Sequence, residues 1–389
     1  MTVPANVARF LFETSSGSEP LHVVSFDINE AMATPYQMEQ VIAVAKGVTD
    51  AASWVGKAGC LTVVDIYTGK SRVFHGEIVH ARTEQPGRRL TLYRLTLVPK
   101  FWYLKHRSGC RIFQDASVPA IIARIFHEAN ITESNYRFDV KRVYPPRRYC
   151  VQYQETEFHF VSRLMEEEGL FYYFEHHPSH HVMVITDDIQ RCFQQDASQK
   201  NVRKIPYHAK ASMRPDHATI YNMRYKQQVV ANSVTLNDFN HQKPHLNLTV
   251  ASSRAHAGKL EHYTYPGGYS DKGQGQLYAT FQRDALLVEQ EILTGQTDDT
   301  ALATGQLFEL THHGNTAFNK KYRLLAARYQ GEQPQSLEEG ASHGGSRYSC
   351  EFKAIPAETT YRTLNTHKKT RIAGCQSAFV TGPPGEEIY

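Results

Sequence analysis

Apolar and polar residues alternate along the first hundred positions of the chain. Val24, Phe26 and Ile28 do so, and Tyr36, Met38, Ile42 and Val44 follow. Period-two alternation puts successive side chains on opposite faces of a strand. Leu61 to Tyr67, Arg72 to Ala81 and Leu90 to Val98 continue the series, separated by the turn residues Thr68-Gly69-Lys70 and Gln85-Pro86-Gly87. Short strands at this spacing predict a small barrel or sandwich.

The period then changes. Asp115 and Ser117 are both suited to cap a helix, and Ile121, Ile122, Ile125, Phe126 and Ala129 after them share one helical face that Asn130 can end. A second helix is predicted from near Thr156, with Phe160, Val161, Leu164 and Met165 as its apolar stripe and Gly169 as its C′ residue. Leu170 to Phe174 and Val182 to Ile185 read as a hairpin around Pro178-Ser179. Residues 101 to 205 therefore have α/β character. Strands return beyond them, with one helix near Gln276 to Gln290 and later strands at Gln306 to Thr311, Tyr322 to Tyr329 and Arg347 to Ile355. Gly331 to Gly345 is a polar, Gly- and Ser-rich loop by composition. Strands at 72–81 and 90–98 precede Pro99, and strands at 322–329 and 347–355 precede Pro356. This echo hints at a duplicated barrel. The fold class expected is mixed and mainly β (α+β).

Composition narrows the function classes. The 389 residues are 41% hydrophobic and 21% charged, which excludes a largely disordered or collagen-like chain. No apolar run approaches the length of a transmembrane helix. The net charge of +4 comes from 43 basic and 39 acidic side chains, too balanced for a nucleic-acid partner. Cys60, Cys110, Cys150, Cys192, Cys350 and Cys375 are far apart and form no C-x-x-C pair, so they read as mostly buried thiols rather than a disulfide framework or a zinc site. Met1 to Phe12 lacks the basic and apolar regions of a secretory signal.

The chemical motifs are weak. Thr68-Gly69-Lys70-Ser71 ends like a phosphate-binding loop, but Val64 stands where that motif needs glycine, and two strands flank it. It reads as a hairpin turn. Glu166-Glu167-Glu168 could suggest the paired carboxylates of a glycosidase. Consecutive helical residues splay around the axis, so a solvated polar face is expected, with an inter-subunit ion pair as the alternative. His176, His177, His180 and His181 flank the hairpin turn; a metal site there lacks a further ligand other than Glu175, so a solvated tip is expected. His312-His313 is read the same way. Gly273-Gln274-Gly275 follows a loop rather than a strand, against a dinucleotide site. No G-x-S-x-G or H-E-x-x-H is present. No catalytic, cofactor-binding or metal residue is assigned, and the chain is read as a non-enzyme.

Five stretches together resemble the VgrG family, the valine–glycine repeat spike proteins of bacterial type VI secretion. They are Cys110 to Asp115 with Leu97-Val98-Pro99 and Trp102; Tyr153 to Phe158 with Val161 to Gly169 and Tyr172-Tyr173-Phe174; Tyr265-Pro266-Gly267; Phe352 with Ala354-Ile355-Pro356 and Tyr361-Arg362; and Ile372-Ala373-Gly374 with Gln376 and Ala378, then Gly382 to Tyr389. The resemblance covers essentially the whole chain.

It implies a hub like that of contractile phage tails: two tail-tube-like β-barrels with an inserted α/β domain. The expected divisions are a first barrel at 1–100, the α/β domain at 101–205, a second barrel with a helix at 206–365, and a linker at 366–389. Family members continue past the Gly-Glu-Glu-Ile segment into a small spike barrel and a β-helix needle, so these are expected to lie outside the chain. The implied role is the structural hub of a homotrimer that adapts a hexameric tube protein to a threefold needle. The implied partners are that tube, baseplate components and, through the missing C-terminal region, a tip protein and effectors. Assembly in the bacterial cytoplasm and export through the apparatus follow from the same resemblance. A hub of a contractile phage or prophage tail is the alternative, and a cell-wall hydrolase a more distant one.

Overall fold

The computed structural model describes residues 9–15, 21–45, 51–86, 90–193, 202–209, 215–254, 260–333, 346–375 and 377. The expected loop beyond Gln333 and most of the closing family stretch from Gln376 onward lie outside them. No described helix is long and apolar enough to cross a membrane.

Six strands form the first barrel: β1 (Phe10–Thr14), β2 (Leu21–Ala31), β3 (Thr34–Ala45), β4 (Ala58–Val64), β5 (Ser71–Pro86) and β6 (Leu90–Val98). Their order is β1-β4-β5-β6-β3-β2, and β2 pairs back with β1 to close the ring. The alternation read from the sequence sends Phe26, Ile28, Tyr36, Met38, Ile42 and Val44 inward, all buried, but a bulge between Val23 and Ser25 turns Val23 into the core in place of the expected Val24. Each such side chain contributes roughly 1.5–3 kcal/mol relative to exposure. β4 stops at Val64, short of the predicted Tyr67, because the Asp65 carboxylate accepts hydrogen bonds from the Tyr67 and Thr68 amides and makes the turn there.

The next segment holds β7 (Ser108–Ala116), α1 (Val118–Glu128), β8 (Tyr136–Asp139), β9 (Arg147–Thr156), α2 (Glu157–Glu167), β10 (Phe171–His176) and β11 (His181–Thr186). Ser117 caps α1 through the Ala120 amide, and Thr156 caps α2 through the His159 amide. Asn130 and Gly169 end these helices with φ of 56° and 67°. The hairpin β10–β11 is buried on both faces. Tyr172, Phe174, Met183 and Ile185 join the main core, which runs through both barrels and the two helices between them, whereas Phe171, Tyr173, Val182 and Val184 form a second core with Ile292, Leu325 and Ile355. It is a wedge between two cores.

The last segment contains β12 (Arg203–Pro206), β13 (Ile220–Gln227), β14 (Ser233–Leu236), β15 (Val250–Ser253), β16 (Glu261–Thr264), α3 (Lys272–Leu287), β17 (Glu291–Thr297), β18 (Leu307–Thr311), β19 (Lys321–Glu332) and β20 (Arg347–Pro356). α3 starts four residues before the predicted position because Asp271 caps the Gly273 and Gln274 amides. β19 runs through Gly331 and Glu332, which were expected in a loop. β14, β15 and β16 form a separate three-stranded sheet packed on α3. The other six strands follow the order β12-β18-β19-β20-β17-β13. A bridge between Tyr207 and Ile220 joins the ends, supported by the His208 amide donating to the Ile220 carbonyl at 2.9 Å.

Numbered within its own set of six, each barrel therefore has the strand order 1-4-5-6-3-2. The expected duplication is present, and the sequence echo falls on the fifth and sixth strands of each barrel. The two differ in their first strand: β1 is antiparallel to β4, but β12 is parallel to β18. Cys60, Cys150, Cys192 and Cys350 are buried free thiols, while Cys110 and Cys375 are exposed.

Candidate functional site: the sheet that joins the barrels

The two barrels share one continuous sheet. Strand β2 leaves β1 after Leu21 and His22 and pairs antiparallel with β19 from Ser25 opposite Glu332 to Ala31 opposite Ala326. Strands β3, β2, β19, β20, β17 and β13 thus run side by side across both barrels. Two grooves, of about 800 Å³ and about 970 Å³, lie along the outer face of this sheet. Asp27, Glu39, Arg94 and Arg347 line the first; Asn29, Arg224, Arg328 and Lys353 line the second. Among the described residues, none of the exposed large apolar side chains lines either groove. The face is polar, and Arg328 grips Asp27 across the junction through both carboxylate oxygens at 2.6–3.0 Å.

A buried polar cluster locks the junction from within. The Arg72 guanidinium of β5 packs over the Phe74 and Tyr329 rings at 4.3 and 4.4 Å. It donates to the Thr300 and Leu302 carbonyls and lies 3.5 Å from Glu30. Burial alone would raise the Glu30 pKa, but His176, Arg72 and the Tyr329 hydroxyl outweigh it and the carboxyl stays below its usual range. A buried charge is tolerated only when paired in this way.

The four histidines of the hairpin divide. His177 and His180 stack at the tip, with ring centroids 4.6 Å apart. His176 and His181 do not lie at a solvated tip as expected. They face each other across β10 and β11; His181 is buried at 1% exposed, and the His176 side chain is 6% exposed. The reason is tertiary, since the hairpin is wedged between cores. His181 Nε2 accepts from the Lys100 amide at 3.0 Å, so its proton sits on Nδ1, 3.2 Å from His75 Nδ1. The His75 amide in turn donates to His176 Nδ1 at 3.2 Å. Burial first, then the charges of His176, His180 and Lys100, lowers the His75 pKa to about 4. His181 is shifted the same way, mainly by burial. Among the described residues no cluster of three potential ligands is placed to hold a metal.

The other motifs are structural. Thr68 to Ser71 forms the β4–β5 turn, and Asp65 at its base accepts from Thr300 Oγ1 at 2.8 Å, so this hairpin docks on the second barrel. Glu166, Glu167 and Glu168 are not a solvated face. Glu167 and Glu168 both bind Arg147 at 2.7 Å; Glu168 also accepts from Tyr278 of α3, and Glu166 accepts from the His367 amide at 2.9 Å. Their partners come from distant segments that local sequence does not show. In the same helix, the buried Arg163 binds the buried Glu155 at 2.7 Å. His313 accepts from the Asn315 amide at 3.0 Å, and Gly273-Gln274-Gly275 is the first turn of α3.

A continuous sheet spanning two barrels of one topology is a recognisable architecture. Over residues 29–335 the sequence matches the phage tail baseplate hub (GPD) family. The chain belongs to that hub family. It is similar to the type VI secretion system spike protein VgrG4b of Pseudomonas aeruginosa, at 32% identity over 99% of this chain and 48% of the relative. VgrG1b of the same organism is 31% identical over 96% of the chain and 50% of its own length. The hub chain thus spans about half the length of these curated relatives, and the resemblance to VgrG proteins read from the sequence is borne out. Among solved structures, an Escherichia coli type VI secretion component described as similar to T4 tail proteins matches with a TM-score of 0.66 at 19% identity, over 91% of this chain and 79% of that one. A prophage 43 kDa tail protein of Shewanella oneidensis matches with a TM-score of 0.61 at 9% identity, over 90% and 99%. These likenesses establish the hub fold.

Proposed function

We propose that the chain is the structural hub of a type VI secretion spike. Three copies would set six barrels in a ring, a platform of pseudo-sixfold symmetry that meets a hexameric tube on one side and a threefold needle on the other. The observation that carries this reading is the pair of barrels with one strand order, joined through a shared sheet. A sixfold ring can rest on three chains only if each chain offers two similar surfaces. The VgrG relatives, named as spike proteins, support the secretion setting. On this reading the hub works by transmitting force, without catalysis. It contacts the tube and baseplate components, and reaches the tip protein and effectors through the region beyond its last barrel. It is assembled in the bacterial cytoplasm and leaves through the apparatus.

The likeness to the Shewanella prophage tail protein favours one second reading, a hub of a contractile prophage tail. Neighbouring genes separate the two: tube, sheath and secretion ATPase genes in the first case, capsid and terminase genes in the second. Light scattering on the purified chain tests the shared core of both readings. A trimer is expected; a strict monomer at high concentration would contradict it. A peptidoglycan-clearing assay tests the hydrolase reading, and no clearing is expected.

A further inference from the structure

Among the described residues, three pairs of histidine rings lie against one another: His75 with His181, His177 with His180, and His159 with His367. A ring binds a metal ion through the lone pair of a neutral nitrogen, so the ion lies in the plane of that ring. The first pair has no lone pairs to spare. His181 Nε2 accepts from the Lys100 amide, and the two Nδ1 atoms face each other at 3.2 Å. The second pair is stacked, with planes 19° from parallel, so no ion can lie in both planes at bonding distance.

The third pair differs on each count. His159 lies in α2, and His367 lies in the segment that leaves the last barrel after Pro356. His159 Nδ1 donates to Glu155 Oε2 at 2.6 Å, and His367 Nδ1 donates to Glu166 Oε1 at 2.7 Å. A carboxylate only accepts, so each Nδ1 carries the proton and each Nε2 keeps its lone pair. The ring planes cross at 72°, and the centroids are 5.2 Å apart. Two imidazoles on one tetrahedral zinc ion, with Zn–N bonds of about 2.0–2.1 Å, have centroids about 5 Å apart.

The carboxylates behind the rings are themselves fixed. Glu155 is buried and held by Arg163 at 2.7 Å. Glu166 accepts from the His367 amide at 2.9 Å and from Thr366 Oγ1 at 2.8 Å. A carboxylate on the far ring nitrogen orients a metal-binding histidine and strengthens it as a ligand. The two rings are 33% and 29% exposed, so an ion can reach them from solvent.

We propose that Nε2 of His159 and Nε2 of His367 bind one zinc ion, and that the ion clips the segment leaving the last barrel onto α2. Among the described residues no third histidine, cysteine or carboxylate is placed to join them. Water therefore completes the tetrahedral shell, and binding is weaker than in a closed four-ligand site. Between Leu364 and Cys375 only His367 and Thr370 are even half-buried, so His367 is where this segment is held. In a hub, the clip sets the direction in which the chain leaves the barrels. It does not depend on the hub reading.

The test uses the 389-residue chain without an affinity tag, stripped of metal by a chelator. The exposed Cys110 and Cys375 are replaced by serine so that they do not compete. Zinc chloride is titrated in a calorimeter. A single zinc ion per chain is expected, with affinity falling about tenfold or more in His159→Gln and in His367→Gln. His177→Gln at the hairpin tip should leave it unchanged. Both clip residues are partly exposed, so melting temperatures in chelator should match the parent's. Trypsin reads the clip itself, because Lys368, Lys369 and Arg371 follow His367. Zinc should slow cleavage there in the parent and not in His159→Gln. No zinc binding, binding that survives both substitutions, binding lost in His177→Gln, or a tryptic rate that zinc leaves unchanged would each overturn the clip. Trimer formation, read separately by light scattering, is untouched by any of these results.

Discussion

The first barrel joins its second and third strands by the short turn at Met32 and Ala33, whereas the second barrel places residues 228–290 between them, including a small sheet and α3. Its first strand also runs in the opposite sense to its counterpart. Yet strand order, the bulge in the fifth strand and the half-paired second strand are the same in both. What differs is decoration, and what is kept is the geometry of the edges. Edges decide which barrel can join which, so these features are the ones a hub has to hold constant.

The largest predicted effect breaks the junction from inside. Arg72→Ala leaves Glu30 buried beside one fewer cation and should lower stability by about 3–5 kcal/mol in chemical denaturation. Arg82→Ala on the part of β5 beyond its pairing with β4, 58% exposed in its side chain, should change stability by less than about 0.5 kcal/mol. A comparable loss from both would erase the distinction between joined and free edges.

Gly331→Val comes next. A Cβ at Gly331 would lie 2.2 Å from Phe26 Cε1, so Phe26 and Phe10 must move and the junction should lose about 1–3 kcal/mol. Unchanged thermal unfolding would mean that the barrels do not press together there.

Acid should weaken the wedge. His75 has its pKa lowered to about 4 in the folded chain, against about 6.5 when unfolded. The unfolded chain binds the extra proton as pH falls between these values, so stability is full above about 6.5 and declines below it. From pH 7 to pH 5 the loss from this residue is about 2 kcal/mol. Melting temperatures across that range should flatten in His75→Gln.

Much of this architecture was legible. Strands β2 to β6, the caps at Ser117 and Thr156 and the stop at Gly169 follow from local chemistry that the sequence carries, whereas β1 was not read. The partners of Glu166 to Glu168 were not legible, because Arg147, Tyr278 and His367 reach them from distant segments. His176 and His181 look solvated beside Pro178-Ser179, and only the packing of two cores explains their burial. β14 and β15 are four residues long, too short for periodicity to stand out. The echo before Pro99 and Pro356 pointed to the right strands, but the common strand order needs the pairings.

A smaller effect sharpens the comparison at the surface. Asp27→Asn removes the pair with Arg328, which is half exposed, and should cost about 1 kcal/mol or less. High salt should reduce the difference from the native chain.

Single-particle imaging of the purified chain viewed down its symmetry axis tests the central claim most directly. Six barrel-sized lobes in a closed ring built from three chains are predicted. A ring of three lobes, or isolated pairs of barrels at high concentration, would contradict it.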